Sequence, residues 1–174
     1  MLSEKDTIVA CSSPPGRGAI STVRLSGDKA ISIVKKITGN KLKKQLSVVK
    51  FPLDINLIEK CVLTIYRSPN SYTGENLVEI STHGNPYIVE KVIERCLNSG
   101  AKIAKPGEFT LRAFLNNKLS LDQSEAVIKI INANSKASLK AAQNSLDGGL
   151  KVKISSIQDR LRETRVLVET LIDF

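Results

Sequence analysis

Cysteine, histidine and long apolar runs are all scarce in this sequence, and each scarcity removes a class of protein. Its three cysteines, Cys11, Cys61 and Cys96, are odd in number and far apart, and only one histidine, His83, accompanies them. That excludes a disulfide framework and a zinc site, and leaves the thiols as expected buried, free side chains. No apolar run approaches the roughly 20 residues of a membrane-spanning helix. The N-terminal MLSEKDTIVA carries acids beside its lysine and no long apolar stretch before a small-residue cleavage site, so it does not read as a secretory signal, and the cytoplasm is the expected compartment. Neither GxxxxGK[ST] nor GxGxxG occurs, so Gly16-Arg17-Gly18 alone gives no nucleotide-binding signature. His83 has no Ser or Cys beside it in a nucleophile-elbow context and is expected to be structural. Glu75, Glu79 and Glu108 supply carboxylates, but their spacing does not by itself define an acid and base pair.

What is present is an ordinary globular balance, 41% hydrophobic and 25% charged, with a net charge of +9. At 174 residues the chain is long enough for one good core with a second unit appended. The basic excess is uneven: residues 1–118 carry 18 Lys and Arg against 10 Asp and Glu, and residues 119–174 carry 8 against 7. Lys35, Lys36, Lys41, Lys43, Lys44 and Lys50 run without an intervening acid. Such a run attracts a polyanion such as RNA, or is simply a solvated loop; no arginine or aromatic residue interleaves it as base stacking requires.

Hydrophobic periodicity divides the chain. Residues 7–12 and 19–25 read as strands around the Pro/Gly-rich SSPPGRG connection. Ser26-Gly27-Asp28 precedes a helix carrying Ala30, Ile31, Ile33, Val34 and Ile37 and stopping at Gly39. Further strands are expected over 48–53, 61–66, 77–81 and the short 101–104 piece, and the hairpin through residues 51–58 lacks a glycine turn. In the 77–81 strand a period of two puts Glu79 on the opposite face from Val78 and Ile80. A helix from His83-Gly84-Asn85-Pro86 to Gly100 carries Ile88, Val89, Val92, Ile93 and Leu97. The sum is an α+β domain with a mixed sheet of about five strands and about three helices, ending near Lys118.

From Leu119 the pattern is helical only. One helix is expected from Leu121 to about Leu146. The next carries Leu150, Ile154, Ile157, Leu161, Thr164, Val168 and Leu171 at alternating four and three spacing, a seam that calls for a facing helix. The apolar pattern continues to Phe174, which is expected of an N-terminal piece of a longer protein or of one half of a tight dimer.

Between the two regions lies PGEFTLRAFLNNKLSLDQSEA, from Pro106 to Ala126. Glu108 opens a turn in which Phe109, Ala113 and Phe114 share a helical face while Arg112 is expected to point elsewhere. Asn116, Asn117 and Lys118 end that helix, and Ser120 or Asp122 caps the next. The run is a linker between packed pieces, or a site.

Three segments, DTIVACSSPPGRGAISTVRLSG, SPNSYTGENLVEISTHGNP and PGEFTLRAFLNNKLSLDQSEAV, resemble in order and register the N-terminal region of the tRNA modification GTPase family MnmE, or TrmE. The resemblance implies a tetrahydrofolate-binding, aminomethyltransferase-like domain over residues 1–118 that also forms a homodimer. It further implies the N-terminal part of a helical domain over residues 119–174. Arg24, Glu79 and Lys118 match the family's folate contacts, with 5-formyl-tetrahydrofolate or a related derivative as cofactor and no metal or catalytic residue in this stretch. A carboxylate such as Glu79 suits the paired donors of a pterin amide and amine, and Arg24 and Lys118 suit carbonyl or carboxylate oxygens. Read without the family, Arg24 could instead pair with Asp28, Glu79 could face solvent, and Lys118 could offset a helix C-terminus.

In the family, GTP, magnesium and potassium belong to a GTPase domain inserted in the helical domain, and that domain's motifs do not occur here. Together with the flavoprotein MnmG, the family installs a carboxymethylaminomethyl-type group on the wobble uridine of certain tRNAs. Two departures stand out: Asn76 where Asp is usual after Gly-Glu, and Asn85 in place of the second glycine of a His-Gly-Gly run. Alternatives are a folate-dependent aminomethyltransferase relative and a basic tRNA-binding scaffold with no small-molecule ligand.

Overall fold

The computed structural model describes residues 6–39 and 45–172, the side chains of residues 150 and 151 excepted. Lys41, Lys43 and Lys44 of the lysine run lie outside the described residues. The chain divides into two compact units, residues 1–118 and 119–174.

The first unit is built on one mixed sheet. Its strands are β1 (Ile8–Cys11), β2 (Gly18–Ser26), β3 (Leu46–Asp54), β4 (Leu57–Tyr66), β5 (Leu77–Gly84) and β6 (Lys102–Ile103), in the spatial order β3-β4-β5-β2-β1-β6. All neighbours are antiparallel except β1 and β6. Three helices accompany them: α1 (Ala30–Thr38), α2 (Pro86–Asn98) and α3 (Glu108–Leu115). The hairpin without a glycine forms nonetheless, through a tight Asp54–Leu57 connection in which Asp54 Oδ1 accepts the Ile55 N–H at 2.8 Å. Short polar side chains stabilise turns in this way without left-handed backbone.

Strand alternation decides which face is buried. Val23 and Leu25 of β2, Val78 and Ile80 of β5, Cys61, Leu63 and Ile65 of β4, and Val49, Phe51 and Leu53 of β3 point one way. They pack with Ile33, Val34 and Ile37 of α1 and Val92 and Cys96 of α2 into a single core. Each large apolar side chain so enclosed contributes about 1.5–3 kcal/mol relative to exposure. Intervening residues, among them Thr22, Arg24, Val62, Thr64, Glu79 and Ser81, line the opposite face and stay partly exposed. Asn85 starts α2 sharply, its side chain accepting the Tyr87 N–H at 2.9 Å, with Pro86 as the first helical residue. Immediately before it, Gly84 lies so close to β2 that a Cβ there would come within 2.4 Å of the Gly18 carbonyl oxygen.

In the second unit the helix expected from Leu121 to Leu146 is two: α4 (Leu121–Ile131) and α5 (Lys136–Leu146), followed by α6 (Gly149–Ile172). The break follows from side-chain chemistry. Ser135 accepts the Ser138 N–H and Ser138 accepts the Ser135 N–H, a reciprocal capping box that starts a new helix and ends the old one. Small residues let α4 and α5 approach, with Ala126 and Ala142 buried, and Gln123 Nε2 donates to the Leu146 carbonyl at 2.7 Å. On α6, Ile154, Ile157, Leu161, Val168 and Leu171 are exposed.

Cys61 and Cys96 are buried as expected, whereas Cys11 is half-buried with its Sγ against the Ser13 hydroxyl and carbonyl. Burial pushes both enclosed thiols up to about 12, with Glu59 adding to the effect at Cys61. Because the thiolate is the reactive form, labelling of the native chain with Ellman's reagent at pH 8 is expected to modify Cys11 alone, and all three thiols after unfolding in guanidinium.

Candidate functional site

The register of β2 on β5 sets Arg24 directly opposite Glu79 on the half-exposed face. The guanidinium donates twice to one carboxylate oxygen, Nε to Glu79 Oε1 at 3.0 Å and Nη2 to the same oxygen at 2.6 Å. Their side chains are 24% and 22% exposed, so the pair is partly desolvated while remaining open to a ligand. The second oxygen, Oε2, is approached by the Tyr66 hydroxyl from neighbouring β4 at 3.4 Å. Two rings flank the cation: the Arg24 guanidinium carbon is 5.3 Å from the Tyr72 ring centre and 5.7 Å from that of Phe109. Cation–ring contacts of this kind are worth about 0.5–1 kcal/mol each when exposed. The result is a polar pair, flat-sided and bounded by aromatic carbon.

Those rings belong to the connection between β4 and β5 and to α3, and a buried polar network holds both in place. Arg112 of α3, expected to point elsewhere than the face of Phe109, Ala113 and Phe114, is 8% exposed, with oxygen partners on three residues. It donates to the Asp6 carbonyl at 2.8 Å, to Glu75 Oε1 at 3.2 Å and to Glu108 Oε1 at 3.0 Å. Glu75 in turn accepts the Ser26 hydroxyl at 2.6 Å, and Ser26 meets the Thr73 hydroxyl at 2.6 Å. Asn116 Nδ2 donates to the Thr73 carbonyl at 2.7 Å, and the Tyr72 hydroxyl meets Thr110 of α3 at 2.9 Å. Asn76 supplies its main-chain carbonyl to the Gly27 N–H and its side chain to the Ser68 N–H.

Lys118 follows the left-handed Asn117 (φ 56°), whose turn brings the Lys118 N–H to the Ala113 carbonyl at 2.8 Å. Its side chain lies over Gly74: a Cβ on that glycine would meet Lys118 Cγ at 3.2 Å. Among the described residues the Lys118 ammonium has no ion pair. The structure thus joins two of the three expected contacts, Arg24 and Glu79, directly. Lys118, which follows α3, lies over Gly74, two residues along from Tyr72, and makes no hydrogen bond or ion pair with Arg24 or Glu79 among the described residues. Arg24 does not turn to Asp28. His83 faces Glu59 instead, Nδ1 to Oε1 at 2.6 Å, at the far end of β5. Sequence reasoning missed Tyr66, Tyr72 and Phe109. Tyr66 alone carried a signal, since an alternating strand that buries Ile65 must present it on the face of Glu79.

Two measurements probe these contacts. Breaking a buried ion pair by removing one partner costs about 3–5 kcal/mol. Arg112→Met is therefore expected to lose that much in urea unfolding, whereas Arg162→Ala, which removes an exposed partner of Asp159, stays within about 0.5 kcal/mol. Tyr66 titrates above its usual range, chiefly through burial and then through the adjacent Glu79 charge and hydrogen bond. A phenol raised on folding contributes stability below its unfolded pKa near 10.0 that is lost as pH rises through the folded value. Glu79→Gln is expected to shift the Tyr66 transition, followed by ultraviolet absorbance and identified by its loss in Tyr66→Phe, to lower pH.

Comparison with known proteins gives a consistent answer along the chain. Residues 7–118 match the family described as GTP-binding protein TrmE N-terminus, and residues 121–174 match the MnmE helical domain. The chain is 47% identical over 171 residues to the tRNA modification GTPase MnmE of Francisella philomiragia, a match covering 98% of this chain and 38% of that protein. It is 45% identical, with the same coverage of each, to the protein of that name from Francisella tularensis subsp. novicida. The chain therefore spans 38% of the length of these relatives and corresponds to their N-terminal part. With both of its units matched in order, the chain belongs to the TrmE/MnmE family of tRNA modification GTPases.

Proposed function

We propose that residues 1–118 bind a reduced folate of the 5-formyl-tetrahydrofolate type, with Arg24, Glu79 and Lys118 as polar contacts. The observation that carries this reading is the half-exposed Glu79 carboxylate, one of whose oxygens has, among the described residues, a single long hydrogen bond, set beside two aromatic rings. Such a group suits the donor edge of a 2-amino-4-oxo ring system, and the rings suit its flat faces. Arg24 and Lys118 are the cations available for its carbonyl and carboxylate oxygens. When bound, the folate supplies a one-carbon unit.

On this reading two copies of the chain form a homodimer. The longer protein of which it is part works in the cytoplasm with the flavoprotein MnmG to build a carboxymethylaminomethyl-type group on the wobble uridine of tRNA. GTP, with magnesium and potassium, acts in a separate GTPase domain, since the 174 residues hold no phosphate-loop motif. These residues contribute folate binding and dimerisation rather than hydrolysis.

Calorimetric titration with 5-formyl-tetrahydrofolate tests the assignment. A charged hydrogen bond is worth roughly 1.5–3 kcal/mol, so Arg24→Ala, Glu79→Gln and Lys118→Ala are each expected to weaken binding by about tenfold or more, with circular dichroism unchanged. Parent-like affinity in all three would remove the site from this face.

A further inference from the structure

The Arg24 guanidinium and the donor edge of a 2-amino-4-oxo pyrimidine are chemically alike: each is a flat array of N–H groups around one carbon, suited to a carboxylate. In this chain the guanidinium already holds the position. Two of its donors fill Glu79 Oε1 at 3.0 and 2.6 Å, and its plane is flanked by Tyr72 and Phe109. A ligand placing paired donors on Glu79 needs both carboxylate oxygens. Among the described residues Oε2 is nearly open, with only the Tyr66 hydroxyl at 3.4 Å, but Oε1 is taken. The acceptor and the ring-lined slot cannot serve Arg24 and such a ligand together.

We infer that Arg24 is a specificity-determining residue that works by competition, occupying the place of the ligand's head group and yielding only to a ligand that also carries an anion to receive the displaced cation. The inference rests on the folate reading above and states which folates the site accepts. A head group alone must break two charge-assisted bonds and leave a partly desolvated guanidinium without a carboxylate, a substantial cost. A ligand bearing both head group and carboxylate exchanges one ion pair for another. Selection therefore falls on molecules that combine the two parts, and each part alone binds poorly. Glu79 can still accept the head group when Arg24 is absent, so removing Arg24 has opposite effects on the two ligand classes.

The test uses the purified 174-residue chain at pH 6.5, where the pterin amide keeps its proton, and two probes, pterin, which has the head group and no anion, and 5-formyl-tetrahydrofolate, which has both. Relative to the parent, Arg24→Ala is expected to bind pterin about tenfold more tightly and 5-formyl-tetrahydrofolate about tenfold more weakly, the size of one charge-assisted hydrogen bond. Arg24→Lys keeps the charge but gives up the fork, so its pterin affinity is expected between parent and Arg24→Ala. It carries the test if the alanine variant loses its fold. Pterin binding by the variants that equals or falls below the parent's overturns the competition while leaving the folate reading intact. A parent chain that fails to bind 5-formyl-tetrahydrofolate overturns both.

Discussion

The guanidinium of Arg112 is buried, yet it meets the carboxylates of Glu75 and Glu108 and the main-chain carbonyl of Asp6. Those partners come from the segment before β1, from the connection between β4 and β5, and from α3 itself. An uncompensated charge in such a place is prohibitively costly, so the three segments must converge for the fold to be tolerated at all. Their convergence brings Tyr72 and Phe109 to the Arg24 guanidinium and Gly74 beneath Lys118. The candidate site is thus a surface consequence of a buried ionic knot.

The two faces of the sheet divide labour along the same strands. Apolar residues at alternate positions of β2, β4 and β5 lock onto α1 and α2, which fixes register, because a one-residue slip would send Arg24 and Glu79 into the core. Register in turn sets Arg24 opposite Glu79 and Tyr66 on the adjoining strand. The Gly84 approach to Gly18 closes this pairing at one end, and the Ser26–Thr73 hydrogen bond closes it at the other. Between these limits lies the half-exposed patch where a ligand could reach polar groups without disturbing the core.

Much of this was legible in the residues themselves. Period-two alternation around Glu79 correctly separated it from Val78 and Ile80, and glycine and proline punctuation marked the ends of α1 and α2. The burial of Arg112 was not legible because helical periodicity sorts residues by polarity, and a buried cation is visible only once its partners, distant in sequence, are in place. The break between α4 and α5 escaped because serine pairs cap helices through geometry that composition hides. Tyr72 and Phe109 were out of reach for a similar reason. Their position beside Arg24 is decided by the loop network, a long-range event with no local periodicity.

The sheet's outer margins have a further consequence. One edge is β6, two residues long and followed shortly by Pro106; the other is β3, which carries Lys50 and Pro52. Short strands, lysine and proline all discourage another strand from docking. Lateral growth of the sheet is therefore disfavoured on both sides, which leaves its faces and loops as the surfaces for an encounter with a neighbouring molecule. The half-exposed face that bears the ion pair is one of the surfaces left for that encounter, so recognition here is steered by side-chain chemistry and shape rather than by main-chain pairing.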